Sequence, residues 1–123
     1  RSVLVVDDQP VNRIVAKQLL LIDFPNIRVV EAADAEHAQA AMATEAFSLV
    51  FMDVFMPGVS GIEATQDLRQ KGCDVVIVGL TADVSPQVLD RCLAAGMNAV
   101  LTKPYNRADL AQHVRASFAA KSA

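Results

Sequence analysis

Short apolar runs alternate with longer stretches of helical periodicity from one end of the chain to the other, and this alternation leaves few folds open. The apolar runs predict strands over Val3–Asp7, Ile27–Glu31, Leu49–Asp53, Val75–Leu80 and Ala99–Thr102. Four of them are nearly unbroken in apolar residues, as strands buried on both faces of a parallel sheet are. The second, with Arg28 and Glu31, carries charge and suits a sheet edge.

The intervening segments read as helices. Val11, Ile14, Val15, Leu19 and Ile22 fall on one helix face, with Pro10 at a first-turn position. Ala35–Ala46 is rich in strong helix formers, and Gly61–Gln70 is a third candidate. A fourth, Ser85–Ala95, opens with a cap and a proline, and Gly96 stands where it would end. Leu110, Val114 and Phe118 form an i, i+4, i+8 row in the last. Five βα units predict a three-layer α/β sandwich with a parallel five-stranded sheet. Right-handed crossovers then favour the flavodoxin-like strand order 2-1-3-4-5, which puts the charged second strand at an edge.

With 123 residues, 53% of them hydrophobic, the chain fits one domain over 1–123 with a continuous core. It enters its first strand at once, with no signal peptide, which suggests a domain excised from a longer chain. No apolar run is long enough to cross a bilayer. The net charge of −3, from 11 basic and 14 acidic residues, argues against a nucleic-acid binder. Cys73 and Cys92 read as reduced thiols, so the domain is expected in the cytoplasm, with room for a membrane-anchored parent chain.

In open α/β sheets, sites form at the carboxyl ends of the strands. Here those ends carry Asp7-Asp8, Asp53, Thr81 and Lys103-Pro104, each after an apolar run. Carboxylates gathered within about 4–6 Å repel one another and raise at least one pKa. Each close pair costs about 1–4 kcal/mol, a cost that a divalent cation removes. An all-oxygen site with few protein ligands suits magnesium. A metal, a lysine and a hydroxyl around one carboxylate can receive a phosphoryl group, because that transfer needs mainly alignment and charge neutralisation. Attack by Asp53 would give an acyl phosphate, with Thr81 and Lys103 holding phosphoryl oxygens.

Val5-Val6-Asp7-Asp8, Met52-Asp53 with Met56-Pro57, Gly61, Leu80-Thr81-Ala82 and Leu101-Thr102-Lys103-Pro104 together resemble the receiver domains of response regulators. The likeness covers essentially the whole chain, and Asp8-Gln9-Pro10-Val11-Asn12-Arg13 is similar to receivers attached to hybrid sensor histidine kinases. The resemblance implies Asp53 as phosphoacceptor and Asp7, Asp8, Asp53 and the Phe55 carbonyl as the magnesium site. It also implies Thr81 as switch hydroxyl, Lys103 as phosphoryl contact, and a cis Lys103–Pro104 peptide. It implies as partner a histidine kinase or a histidine-containing phosphotransfer domain, and leaves open a weak homodimer through helix 4, strand 5 and helix 5. Two positions matter further. Such domains usually have an aromatic residue where this chain has Val100, which puts the usual switch in doubt. Phe55, two past the acceptor, is expected to shield the acyl phosphate from water.

Three other readings compete. A pseudo-receiver would bind partners without being phosphorylated. A magnesium-dependent phosphatase would need a second carboxylate where Phe55 stands, and a flavin domain would need a phosphate loop after the first strand. His37 and His113 have no ligand-spaced partner and read as surface or boundary residues. Met42, Met52, Met56 and Met97 read as packing or loop residues, and Arg69 and Lys71 as solvated.

Overall fold

A computed structural model describes the backbone of residues 1–122 and the side chains of residues 1–119; the last residue of the expected span lies outside that description. Strands β1 (Ser2–Val6), β2 (Arg28–Ala32), β3 (Leu49–Asp53), β4 (Val76–Thr81) and β5 (Ala99–Thr102) alternate with helices α1 (Pro10–Asp23), α2 (Ala35–Thr44), α3 (Gly61–Gln70), α4 (Pro86–Ala95) and α5 (Arg107–Ser122). All strand pairs are parallel, and the order is β2-β1-β3-β4-β5. The expected architecture and strand order are those observed.

Strand alternation splits the interior in two. Leu4, Val6, Val50, Met52 and Ile77 face one side, where they pack with Ala38 of α2, Leu68 of α3 and Cys92 of α4. Val3, Val5, Leu49, Phe51, Val78 and Leu80 face the other, against Ala16 and Leu20 of α1 and Leu110 and Val114 of α5. The central strands β1, β3 and β4 are buried almost throughout, while β2 and β5 at the edges are partly open. Met52, Met56 and Met97 lie in this core, and both cysteines are free thiols.

Local chemistry starts each helix where the sheet needs it. Asp34 and Ser85 accept hydrogen bonds from the N–H of His37 and Val88. Ser60 and Glu63 form a reciprocal capping box, and Asn106 and Asp109 bond each other's backbone in the same manner. Gly96, at a φ of 113°, ends α4.

Some expectations need correction. Helix α2 stops at Thr44 rather than Ala46: Glu45 is extended, and its carboxylate is held by Ser2 Oγ and Arg28 Nε. That turn delivers buried Phe47 to the core just before β3. Strand β4 begins one residue later than expected and takes in Thr81, which pairs with Thr102. Arg69 is not merely solvated. Its guanidinium donates to the carbonyls of Gly96 and Cys73 and to Asn98 Oδ1, all within 3.0 Å, closing the carboxyl ends of α3 and α4 against the sheet.

Gly61 couples this scaffold to the sheet's carboxyl rim. Its N–H donates to the Val54 carbonyl at 2.9 Å, and a Cβ there would overlap the Asp53 carbonyl oxygen. A backbone atom cannot swing aside, so Gly61→Ala is expected to destabilise the fold by about 1–3 kcal/mol despite alanine's better helix propensity. Urea denaturation measures this; an unchanged or raised midpoint would show that the β3–α3 loop yields freely.

Candidate functional site

Parallel pairing sets the site. Val6 registers with Met52, so the residues that follow, Asp7 just past β1 and Asp53 at the end of β3, emerge at the same height on the carboxyl rim. Asp7 is 1% exposed and Asp53 5%, although both carry ionisable carboxylates. Asp8 follows on the loop and is half-buried. One oxygen from each of the three lies within 4.8 Å of the others. Lys103, just past β5, reaches back across the rim, and its Nζ donates to Asp7 Oδ2 and Asp53 Oδ1, each at 3.2 Å. The Lys103–Pro104 peptide is cis.

One cation thus faces three carboxylates. Burial, the largest cause, pushes the Asp53 carboxyl up to about 6, with the charges of Asp7 and Asp8 adding to the rise and Lys103 opposing it. Burial pulls the Lys103 ammonium down, but Asp53 and Asp7 outweigh it and hold it above its ordinary value. The donor set is hard, anionic and all oxygen, with more negative charge than Lys103 balances. Those properties fit a small divalent cation held by Asp7, Asp8 and Asp53.

The other expected residues sit around this cup without all entering it. Thr81 is buried at the end of β4, one residue past Leu80, the partner of Asp53. Its hydroxyl accepts from the Asp83 N–H at 3.0 Å and so belongs to the β4–α4 loop. The Phe55 side chain is 50% exposed on the β3–α3 loop. Val100 is half-buried and packs with the core on the α2–α3–α4 side. His37 is exposed against Asp34, and His113 is half-buried, both away from the cup.

Three contacts of Asp7 were not foreseen. Gln9 N–H and Asn12 Nδ2 donate to its Oδ1 at 2.9 and 3.5 Å, and Arg13 Nη1 donates to its carbonyl at 2.7 Å. The sequence shows Asn12 and Arg13 as polar residues in the helix turn after the acidic pair, but not that they turn toward it. A shallow notch of about 400 Å³ adjoins the cup, lined by Asn12, Val15, Ala82, Lys103, Pro104 and Tyr105. A larger cavity of about 550 Å³, lined by Met42, Phe47, Cys73 and Val75 among others, lies at the opposite ends of β3 and β4, away from every one of these groups.

Residues 3–115 match the family model of the response regulator receiver domain. The chain is 37% identical over 103 residues to the sensor histidine kinase RcsC of Salmonella typhimurium, covering 83% of this chain and 10% of that protein. It is 38% identical over 117 residues to the sensor histidine kinase GacS of Pseudomonas protegens, covering 91% of this chain and 12% of that protein. The chain thus spans about a tenth of the length of such relatives. Its fold is similar to that of the chemotaxis protein CheY4 of Vibrio cholerae, with a TM-score of 0.85 and 27% identity over 94% of this chain and 97% of that one. A CheY-like receiver domain protein from Methanospirillum hungatei matches with a TM-score of 0.88 and 25% identity, covering 99% and 96% of the two chains.

The raised Asp53 pKa has a consequence for stability. Between the ordinary value of 3.8 and about 6, the folded chain keeps a proton that the unfolded chain gives up. Stability from this group is therefore full below that window and lost as pH rises through it. Asp53→Asn has no charge to desolvate, so in chelator its advantage over the native chain should grow by roughly 1–3 kcal/mol between about pH 4 and about pH 7. Urea midpoints of the two proteins at both pH values read this out, and a constant difference would overturn the assigned cause.

Proposed function

The chain belongs to the response regulator receiver domain family, a module of two-component signalling, and on that premise we propose that Asp53 accepts a phosphoryl group from a phosphohistidine partner. The observation that carries this reading is the cup itself: three carboxylates within 4.8 Å of one another, two of them bridged by Lys103 Nζ at 3.2 Å. A carboxylate oxygen of Asp53 attacks phosphorus, the bond from phosphorus to the donor's imidazole nitrogen breaks, and an acyl phosphate forms. The imidazole leaves with the bonding pair and takes up a proton from solvent.

Asp7, Asp8, Asp53 and the Phe55 carbonyl would hold magnesium. When bound, that ion neutralises charge developing on the phosphoryl oxygens. Lys103 pairs with another of those oxygens, and burial on an apolar strand fixes the direction of Asp53. Thr81 would have to release Asp83 to hydrogen-bond the phosphoryl group. Phe55, half exposed beside the acceptor, covers the acyl phosphate against water.

The module acts on its own aspartate, with no separate substrate to turn over, and sits in the cytoplasm as one domain of a longer sensor kinase. The partner is a histidine kinase or a histidine-containing phosphotransfer domain. Helix α1 offers it a place to dock: Val11 is 69% exposed, Ile14 48% and Val15 44%, on one face that runs to the rim of the cup. An apolar stripe of this kind on a soluble domain marks a contact surface.

Incubation with magnesium and acetyl phosphate tests the proposal. The native chain should gain one base-labile, acid-stable phosphoryl group, Asp53→Asn should gain none, and Lys103→Ala should react about 10²-fold more slowly. Ile14→Glu should react normally with acetyl phosphate yet poorly with a phosphorylated histidine domain. No adduct on the native chain would leave a pseudo-receiver, an interaction module that is never phosphorylated. Decay of the adduct provides a separate check: Phe55→Ala and Phe55→Asn should lose phosphate faster than the native chain, and equal lifetimes would refute shielding.

A further inference from the structure

Asp7 is held at every polar atom. Its N–H donates to the Ala32 carbonyl at 3.1 Å, and Oδ2 accepts from Lys103 at 3.2 Å. Its Oδ1 takes the Gln9 N–H and the Asn12 amide, and its carbonyl oxygen takes Arg13 Nη1 at 2.7 Å. The Arg13 side chain is only 16% exposed, and its Nε donates to Glu31 Oε1 at 3.3 Å. Glu31 is itself fixed by strand register, opposite Val5. By contrast, the Asp8 carboxylate accepts from Gln9 Nε2 at 3.3 Å, on the exposed side of the loop.

The Asp7 carbonyl belongs to the planar peptide that joins Asp7 to Asp8. Whatever holds that oxygen sets the plane, and the plane sets the direction in which the Asp8 side chain leaves the backbone. We infer that Arg13 is a positioning residue of the cation site, which orients the Asp8 carboxylate toward the cup by pinning the Asp7–Asp8 peptide. Arg13 touches no reacting atom and acts only through this peptide. The inference rests on the proposed cation at Asp7, Asp8 and Asp53.

Charge and geometry make opposite predictions here. Arg13 adds positive charge near a site for a divalent cation, so charge alone says that its removal tightens binding. Loss of positioning says that binding weakens, as when groups behind metal ligands are removed, by about tenfold or more. Arg13→Met separates the two, because it deletes the charge and the donors but keeps the apolar stem.

The experiment titrates magnesium chloride into the native chain, Arg13→Met and Arg13→Lys, reading Kd calorimetrically, with urea midpoints in chelator as the check on folding. Arg13→Met is expected to bind magnesium about tenfold more weakly. Arg13→Lys, with one donor for the carbonyl, should recover most of the loss. A folded Arg13→Met with unchanged or tighter Kd overturns the inference. Absence of magnesium binding by the native chain overturns the reading beneath it instead. Should Arg13→Met not fold, Arg13→Gln replaces it with the same two outcomes, since its amide is too short to reach the carbonyl.

Discussion

The structure turns on an electrostatic conflict at the end of a parallel sheet. Asp7 and Asp53 are buried side by side, with Asp8 next to them, and one ammonium group serves two of the three. Burial makes the Asp53 charge expensive and pushes its carboxyl up to about 6, with the neighbouring charges of Asp7 and Asp8 adding to the rise and Lys103 opposing it. The sheet sustains the conflict because β1 and β3 are buried along their length and leave the two aspartates no other exit. Packing that stabilises the fold therefore holds together a cluster that would disperse in an unfolded chain, and it concentrates negative charge at the rim beside a single lysine.

The fold was legible because strand burial writes itself directly into composition. Unbroken apolar runs such as Leu49-Val50-Phe51-Met52 have one sensible place, the middle of a parallel sheet. The charged run around Arg28 and Glu31 is the β2 edge, where Glu31 meets Arg13 and Arg28 meets Glu45. Strand ends were less legible, since the bond that extends a ladder by one residue, such as Asp7 N–H to Ala32, leaves no mark on hydrophobicity. The end of α2 was missed for a related reason: the alanines and glutamate there favour continuing the helix, and the tertiary contacts of Glu45 override that propensity. Among the candidate site residues, Asp7, Asp8, Asp53 and Lys103 followed from strand ends alone. The bonds of Asn12 and Arg13 to Asp7 did not, because a helix-surface pattern does not reveal which polar residue turns inward.

Thr81 illustrates how side chains link the rim to the helices. Its hydroxyl accepts from the Asp83 N–H, the Asp83 carboxylate accepts from the Ser85 N–H, and the Ser85 hydroxyl caps α4 through Val88. This is a continuous run of side-chain-to-backbone bonds from the carboxyl end of β4 to the first turn of α4. Val100, where the resembling family usually has an aromatic ring, instead packs with the core opposite Gly79, where Met97 and Val54 fill the space. The α4 entrance is thus tied to Thr81 by hydrogen bonds, whereas β5 is tied to the core by apolar contact.

The parallel register described for β1 and β3 bears on how such a chain can drift over generations. A residue gained or lost inside either strand would turn its terminal aspartate to the other face of the sheet and scatter the cluster. The loops at the opposite ends of the strands, which line the cavity around Phe47 and Cys73, carry no such constraint. Insertions and deletions should therefore accumulate on that floor, while the spacing from strand to acid stays constant.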